Sequence, residues 1–436
     1  MVVVLEVILI VMMWIFVRDG VLNATDALAS QRYPAFQDIN VMMLIGFAFL
    51  MTFIRSYAWS SIAYTFFLNA YITQLYILLF AFWEKVWAGN WSSNVSMDIT
   101  TLIGCSYAVG SVLVAAGGVI GRCGPKDLLI IMTIHMIGYT LNEKIVFSSI
   151  GMIDAGGSST IHTYGAYYGL TVCLVLAKKA KPITNIKISY ISNITAFIGS
   201  LFLWIYWPSF NYGLVAQNSF EQNLIVVNTV LALTGSVLGT YAVSALGFGR
   251  GLEMENILNA TLAGGVVIGA PCQFIYRPGV ALFIGCSTGM ISALCFHHLT
   301  PKLLDCLGLY DTCGIHNLHG IPGVLGGIWS AIIIAFYNTG YDAEIAAQYS
   351  NGHFLFPVNN TFLEQGGLQI AGTACSWAMG ICFGIVGGFV VSFFYKEKPK
   401  YFYLDTEYFD NANFREIYRG DSGENNYLDQ KAAHKR

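Results

Sequence analysis

The first 395 residues carry few charged side chains, spaced so that long, mostly apolar stretches run between them. The 41 residues from Lys396 hold 16 of the 47 charges (22 Lys and Arg plus 25 Asp and Glu), which leaves 31 for the rest of the chain. Twelve stretches fall near 3–17, 39–54, 60–82, 99–121, 127–149, 156–177, 188–208, 223–247, 256–276, 278–299, 314–336 and 367–395. Most approach the roughly 20 residues a helix needs to cross a bilayer. A composition of 56% apolar and 11% charged residues excludes a string of soluble domains, which carry about 25% charge. Irregular backbone cannot face lipid, and the alternating pattern of a membrane barrel is absent. The expected fold is therefore all-α: a polytopic membrane bundle of twelve transmembrane helices over residues 1–395, followed by a cytoplasmic tail over 396–436. Met1 to Val17 lacks the basic end of a signal peptide and is read as a retained first helix.

Lys and Arg in the connections set the orientation. With both termini inside, Arg55, Arg122, Lys126, Lys178, Lys179, Lys181, Lys187, Arg250 and Lys302 lie inside, against Arg18, Arg32, Lys85, Lys144 and Arg277 outside. The glycosylation sequons at Asn23, Asn90, Asn94 and Asn359 then all fall in outer loops, while Asn193 and Asn259 lie in spans. Trp83, Trp87, Trp91, Trp204 and Trp207 cluster near outer helix ends, as an interfacial belt would. The expected location is the cell membrane, multi-pass, with both termini cytoplasmic. Nine pairs of glycines four residues apart, among them Gly117/Gly121, Gly165/Gly169, Gly323/Gly327 and Gly384/Gly388, point to close helix contacts; about five would arise by chance.

Several function classes drop out. A net charge of −3 offers no footprint for nucleic acid, and the ten cysteines lack metal-ligand spacing, so neither a metal site nor a disulfide framework is expected. No phosphate loop and no nucleophile–base pair appears, which argues against an enzyme and against a cofactor.

The residues that point to chemistry are histidines at membrane depth. His162 stands eight residues, about 12 Å of helical rise, beyond Asp154 in the sixth span. His319 lies in the eleventh span, with His316 one turn away on nearly the same face. An intramembrane histidine is costly enough to suggest function, although a lone one can simply hydrogen-bond a neighbouring helix, the alternative weighed for His135, His297 and His298. His162 and His319 differ in belonging to the last helices of two five-helix sets, spans two to six and seven to eleven. Because five is odd, the sets insert with opposite topology, the mark of an inverted repeat with its site at the repeat interface. Asp154 reads either as a proton relay or, more simply, as a cap for the helix that follows Ala-Gly-Gly-Ser-Ser. Glu143 reads either as an interfacial ion pair with Lys144 or as a carboxylate that concentrates cations at an outer mouth. The tail is unusually aromatic, with Tyr401, Phe402, Tyr403, Tyr408 and Phe409, and reads either as a segment docked beneath the bundle or as a solvated tail whose aromatics touch the lipid interface.

Longer runs carry a resemblance. Tyr33-Pro-Ala-Phe-Gln-Asp, Phe47-Ala-Phe-Leu-Met-Thr-Phe, Asp154-Ala-Gly-Gly, Thr160-Ile-His-Thr-Tyr-Gly-Ala-Tyr-Tyr-Gly-Leu-Thr-Val, Trp204-Ile-Tyr-Trp-Pro-Ser-Phe-Asn, Asn259-Ala-Thr-Leu-Ala-Gly-Gly-Val and His316-Asn-Leu-His-Gly-Ile-Pro-Gly-Val-Leu-Gly-Gly occur in order. The sequence resembles the Rhesus glycoprotein branch of the ammonium transporter superfamily over nearly the whole chain to about residue 395.

The resemblance implies a homotrimer of twelve-helix protomers, each with its own ammonia pore. It places His162 and His319 as the paired pore histidines, Asp154 as the buried acid supporting the pore, and Glu143 as an outer-vestibule acid that recruits ammonium. Phe210 matches one phenylalanine of the outer gate; Tyr107 stands where the other would be, a departure that adds a polar handle. Lys144 beside Glu143 is a second departure, expected to weaken cation recruitment. The expected substrate is ammonium, recruited and deprotonated outside, with ammonia passing a neutral imidazole pair. The alternatives are a non-conducting membrane scaffold, and carbon dioxide or electrogenic ammonium transport; a cytoplasmic partner for the tail is also open.

Overall fold

The computed structural model describes residues 2–19, 31–54, 57–91, 95–177, 189–215, 219–247, 252–337 and 360–394, together with Asp405 and Phe409. Within them run twelve helical segments. The first six are α1 Val2–Phe16, α2 Tyr33–Phe53, α3 Ala58–Ala88, α4 Ile99–Val119, α5 Pro125–Lys144 continued by Ile145–Ile150, and α6 Ser158–Thr163 with Tyr164–Ala177. The second six are α7 Tyr190–Tyr212, α8 Phe220–Gly247, α9 Met254–Ala260 with Ala263–Ile268, α10 Pro278–Leu307, α11 His316–Gly320 with Ile321–Tyr337, and α12 Phe362–Phe394. Eight of these helices are long and apolar enough to cross a membrane, and α1 and α9 are shorter apolar helices. Two three-residue strands, β1 Val17–Asp19 and β2 Val95–Met97, pair in parallel and hold the end of α1 beside the start of α4.

The ninth span, read from hydropathy as one helix over 256–276, is broken near Thr261 and Leu262. The break is tolerated because one hydroxyl serves both sides of it: Ser236 on α8 donates to the Ala260 carbonyl at 2.8 Å and accepts from Gly264 N at 3.0 Å. Hydropathy also misjudges the ends of α2 and α7. The first begins at Tyr33, with a proline in its first turn, and the second carries Pro208 inside it and runs to Tyr212.

Glycines position α6, the helix of His162, between two neighbours. A Cβ at Gly165 or Gly169 would sit 2.6 Å from the carbonyl of Ser111 or Ala115 on α4, respectively. On the opposite side, a Cβ at Gly380 or Gly384 of α12 would meet the carbonyls of Tyr164 and Tyr168 at 2.7 Å. Backbone therefore touches backbone on both faces, and any side chain would push α6 out of place. Gly121 works differently from the expectation for a Gly117/Gly121 contact pair. Its φ of +78° makes it a turn residue beyond the end of α4, with the Tyr57 ring filling the space beside it.

Candidate functional site

Two histidines meet at the centre of the bundle. His162 and His319 are both buried, with Nδ1 atoms 3.2 Å apart, ring centroids 5.1 Å apart and ring planes inclined by 14°. One Nδ1 must therefore donate and the other accept, so this contact requires at least one protonated Nδ1 and is satisfied by two neutral rings. His162 Nε2 has no hydrogen-bond partner. Both histidines lie in wide π-helical turns, Ser158–Thr163 and His316–Gly320. Such turns recur at functional sites, and three more occur among the described residues, at Met42–Phe47, Ile145–Ile150 and Cys295–Leu299.

The local backbone that presents the two rings is built the same way twice. Asp154 lies eight residues before His162, and Asp311 eight before His319; Gly157 (φ +67°) and Gly314 (φ +74°) each lie five before. Asp154 Oδ2 accepts from Ser159 N and Thr160 N, both at 2.9 Å, and from the Thr160 hydroxyl at 3.0 Å. Asp311 accepts from Ile315 N at 2.9 Å and His316 N at 2.8 Å. Each carboxylate thus satisfies orphan donors at a helix start, and each left-handed glycine lets the chain turn into that helix. Reading the sequence one motif at a time missed Asp311. The signal was present as Asp-x-x-Gly-x-x-x-x-His in both spans.

Aromatic side chains cover the pair on the His162 side. Phe210 stands 5.9 Å from His162, ring to ring, and Trp207 stands 5.8 Å away. Tyr107 packs on Phe210 at 4.8 Å, and its hydroxyl donates to the Phe210 carbonyl at 2.5 Å. The placement of Trp207 in an interfacial belt is thereby corrected. It is fully buried beside His162, because the inward face of α7 carries positions 203, 207 and 210. Trp87 and Trp91, exposed and clustered edge to face with Phe82 and Trp83, fit the belt better. On the His319 side Phe47 stacks at 6.1 Å. Beyond it lies a cavity of about 10 Å³, lined by Phe47, Leu50, Val114, Leu318 and His319 among others, with room for roughly one molecule of water size.

Glu143 accepts from the Tyr76 hydroxyl at 3.1 Å, and that hydroxyl packs on Gly104, one turn of α4 before Tyr107, whereas Ser111, one turn after it, bonds the Ile161 carbonyl beside His162. Lys144 does not turn to its neighbour: its ammonium is bonded to Glu84 of α3. Of the two readings of Glu143, the ion pair with Lys144 is not formed, since successive helical residues point about 100° apart. His135 is buried away from the pair, 3.3 Å from the Ser111 hydroxyl and boxed edge-on by Tyr164 and Tyr168, an interhelical packing role. Of the sequons outside the spans, Asn90 is exposed just past α3; Asn23, Asn94 and Asn359 lie outside the described residues. So do Tyr401, Phe402, Tyr403 and Tyr408 of the tail.

Comparison with known proteins follows this geometry. Residues 1–405 match the Ammonium Transporter Family. The chain is 40% identical to the ammonium transporter Rh type C of Xenopus laevis over 366 residues, 83% of this chain and 75% of that protein. It is 38% identical to the dog ammonium transporter Rh type C over 389 residues, 88% of this chain and 83% of the relative. Among solved structures it is similar to Rh50 of Nitrosomonas europaea, described with the conduction mechanism of the Rhesus family of channels. The TM-score is 0.75 at 31% identity, covering 94% of this chain and all of the other. Mep2 of Saccharomyces cerevisiae shares the fold, with a TM-score of 0.65 at 18% identity over 83% of this chain and 84% of that one.

Proposed function

The chain belongs to the ammonium transporter family and is a multi-pass membrane channel for ammonia or ammonium, and from that premise we propose how its own residues form the pore. The observation that carries the proposal is the buried His162–His319 contact, flanked by aromatic rings on one side and by a small cavity on the other. A bare cation in such surroundings costs several kcal/mol, whereas neutral ammonia needs only a few hydrogen-bond partners. The histidine pair supplies one such partner within the buried apolar stretch, with His162 Nε2 left unpaired to meet the passing molecule. Ammonium gathers at Glu143, gives up its proton to water on the outer side of Tyr107 and Phe210, and crosses as ammonia.

Two observations support an outer position for Glu143. Asp405 binds the start of α3, whereas Glu84, the partner of Lys144, lies 24 residues along the same helix, about 36 Å away. A cytoplasmic tail therefore leaves Glu143 on the opposite face, and exposed Asn90, a sequon, sits at that same end of α3. The pairing of β1 with β2 brings the end of α1 there too, which directs Val2 toward the side of Asp405 and supports a common, cytoplasmic face for both termini. In this reading residues 1–395 form the conducting unit and 396–436 a cytoplasmic tail, and the protein works as a homotrimer in the cell membrane.

Stopped-flow ammonia entry into proteoliposomes tests the proposal. Flux well above empty vesicles that falls to their level in His162→Ala/His319→Ala supports it. A double variant that conducts as well as the parent overturns the histidine pore. Under voltage clamp, ammonia entry should acidify the outer surface, where the proton is left behind, with little current; a large saturable ammonium current would show that charge crosses.

A further inference from the structure

We infer that Tyr107 is a latch on the outer aromatic gate, a positioning residue that narrows what the pore admits; the inference rests on the pore reading above. Tyr107 on α4 and Phe210 in the last turn of α7 are 3% and 1% exposed, so the phenol is not a polar handle turned to solvent. Its hydroxyl donates to the backbone carbonyl of Phe210, the very residue whose ring it packs against. That carbonyl is one of the last four of α7, which have no partner within the helix. A phenylalanine at 107 could stack equally well but could not hold the backbone of the opposing residue.

The turn that bears Phe210 is tied down on all sides. Ser209 donates to Asp38 at 2.6 Å, Asn211 Nδ2 to the Thr229 hydroxyl at 3.0 Å, and Arg32 Nη1 to the Gly213 carbonyl at 3.1 Å. Three of these four ties link the turn to residues 32, 38 and 107 at the start of α2 and on α4. With the backbone fixed, the gate opens only by swinging the Phe210 ring, against a Tyr107 ring that is itself held at its hydroxyl. Such a gate passes ammonia and discriminates against a wider amine. Loss of the hydroxyl frees one ring and one backbone carbonyl together, so both rings can yield.

Gly213 offers an independent handle on the same contact. Its backbone is helical (φ −54°, ψ −33°), so alanine fits the conformation. A Cβ there would stand 2.8 Å from the Tyr107 hydroxyl and 2.7 Å from Ile39 Cδ1, however, and would displace the phenol from the carbonyl. Tyr107→Phe and Gly213→Ala remove one hydrogen bond by unrelated means.

The test is proteoliposome uptake of ammonia and of methylamine by the full chain, Tyr107→Phe, Gly213→Ala and the double histidine variant. The latch predicts that Tyr107→Phe raises methylamine uptake about fivefold, the rate equivalent of one ordinary hydrogen bond, with a smaller gain for ammonia. Gly213→Ala should move the methylamine-to-ammonia ratio in the same direction. A ratio unchanged in both variants, while the parent conducts and the double histidine variant does not, overturns the latch and leaves the pore reading standing. Ammonia flux abolished in a reconstituted Tyr107→Phe also overturns it, because the phenol would then be a required contact for passage. A parent that never exceeds empty vesicles overturns the pore reading, and the latch with it.

Discussion

The Nδ1 atoms of His162 and His319 face each other at 3.2 Å from two helices whose capping residues repeat at identical spacing. Because the rings share one hydrogen bond in a buried site, removing either leaves its partner unpaired at a cost of about 1–3 kcal/mol. Substituting one histidine by alanine should therefore lower ammonia flux nearly as much as substituting both. Losses that add across a double-mutant cycle, in protein that folds and inserts, would show two independent groups.

Asp154 and Asp311 should prove equivalent in stability. Each accepts from two backbone N–H groups at the start of a histidine helix, and alanine at either position leaves those donors unpaired. Asp154→Ala and Asp311→Ala should each destabilise detergent-solubilised protein by about 1–3 kcal/mol, read as a lower melting temperature. An unchanged melting temperature for Asp311→Ala would break the equivalence that the spacing implies.

Lys144 should matter little to ammonium recruitment, because its ammonium is bonded to Glu84, whose opposite charge offsets it at Glu143. Glu84 is 44% exposed on its side chain, so the pair contributes at most about 1 kcal/mol. Lys144→Gln should leave flux at low ammonium concentration within about twofold, while Glu143→Gln lowers it in a salt-dependent way. A strong gain of flux in Lys144→Gln would mean that the lysine suppresses Glu143 after all.

The features legible in the sequence are those that a single helix determines. Apolar length marked the spans, and the cost of an imidazole in lipid marked His162 and His319, because neither signal depends on what lies across the bundle. Partners far apart in sequence stayed hidden: Glu84 lies 60 residues before Lys144, and the Phe210 carbonyl 103 residues beyond the hydroxyl that donates to it. Trp207 was misplaced because a tryptophan near a helix end reads the same from sequence whether it faces lipid or the pore; the difference is which side of α7 packs inward. The interruption of α9 left no trace in hydropathy, since a broken apolar helix and a whole one have the same composition.

The tail is held by Asp405, and that contact should be felt at the far end of the chain. Asp405 is buried and accepts from Trp59 N at 2.8 Å, Ser60 N at 2.9 Å and the Ser60 hydroxyl at 2.5 Å, capping the start of α3. Phe409 adds a ring contact with Tyr64 at 6.2 Å. Asp405→Ala strips an N-cap, a loss of about 0.5–2 kcal/mol. It should lower the melting temperature and expose the tail to protease, as should truncation after Lys400. Burial raises the Asp405 pKa above its usual value, with the hydrogen bonds from Ser60 and Trp59 pulling the other way. Raised in the docked state, the carboxyl binds protons there more readily than in a released tail. Docking therefore tightens as pH falls through the raised value and is insensitive to pH above it. Among the described residues, the other titratable group facing it is the Tyr64 phenol. Protease cleavage of the tail, followed from neutral pH downward, should slow in the parent and stay fast in Asp405→Ala. A tail that is released by mild acid, or an Asp405→Ala protein that melts and resists cleavage like the parent, would remove Asp405 as its anchor.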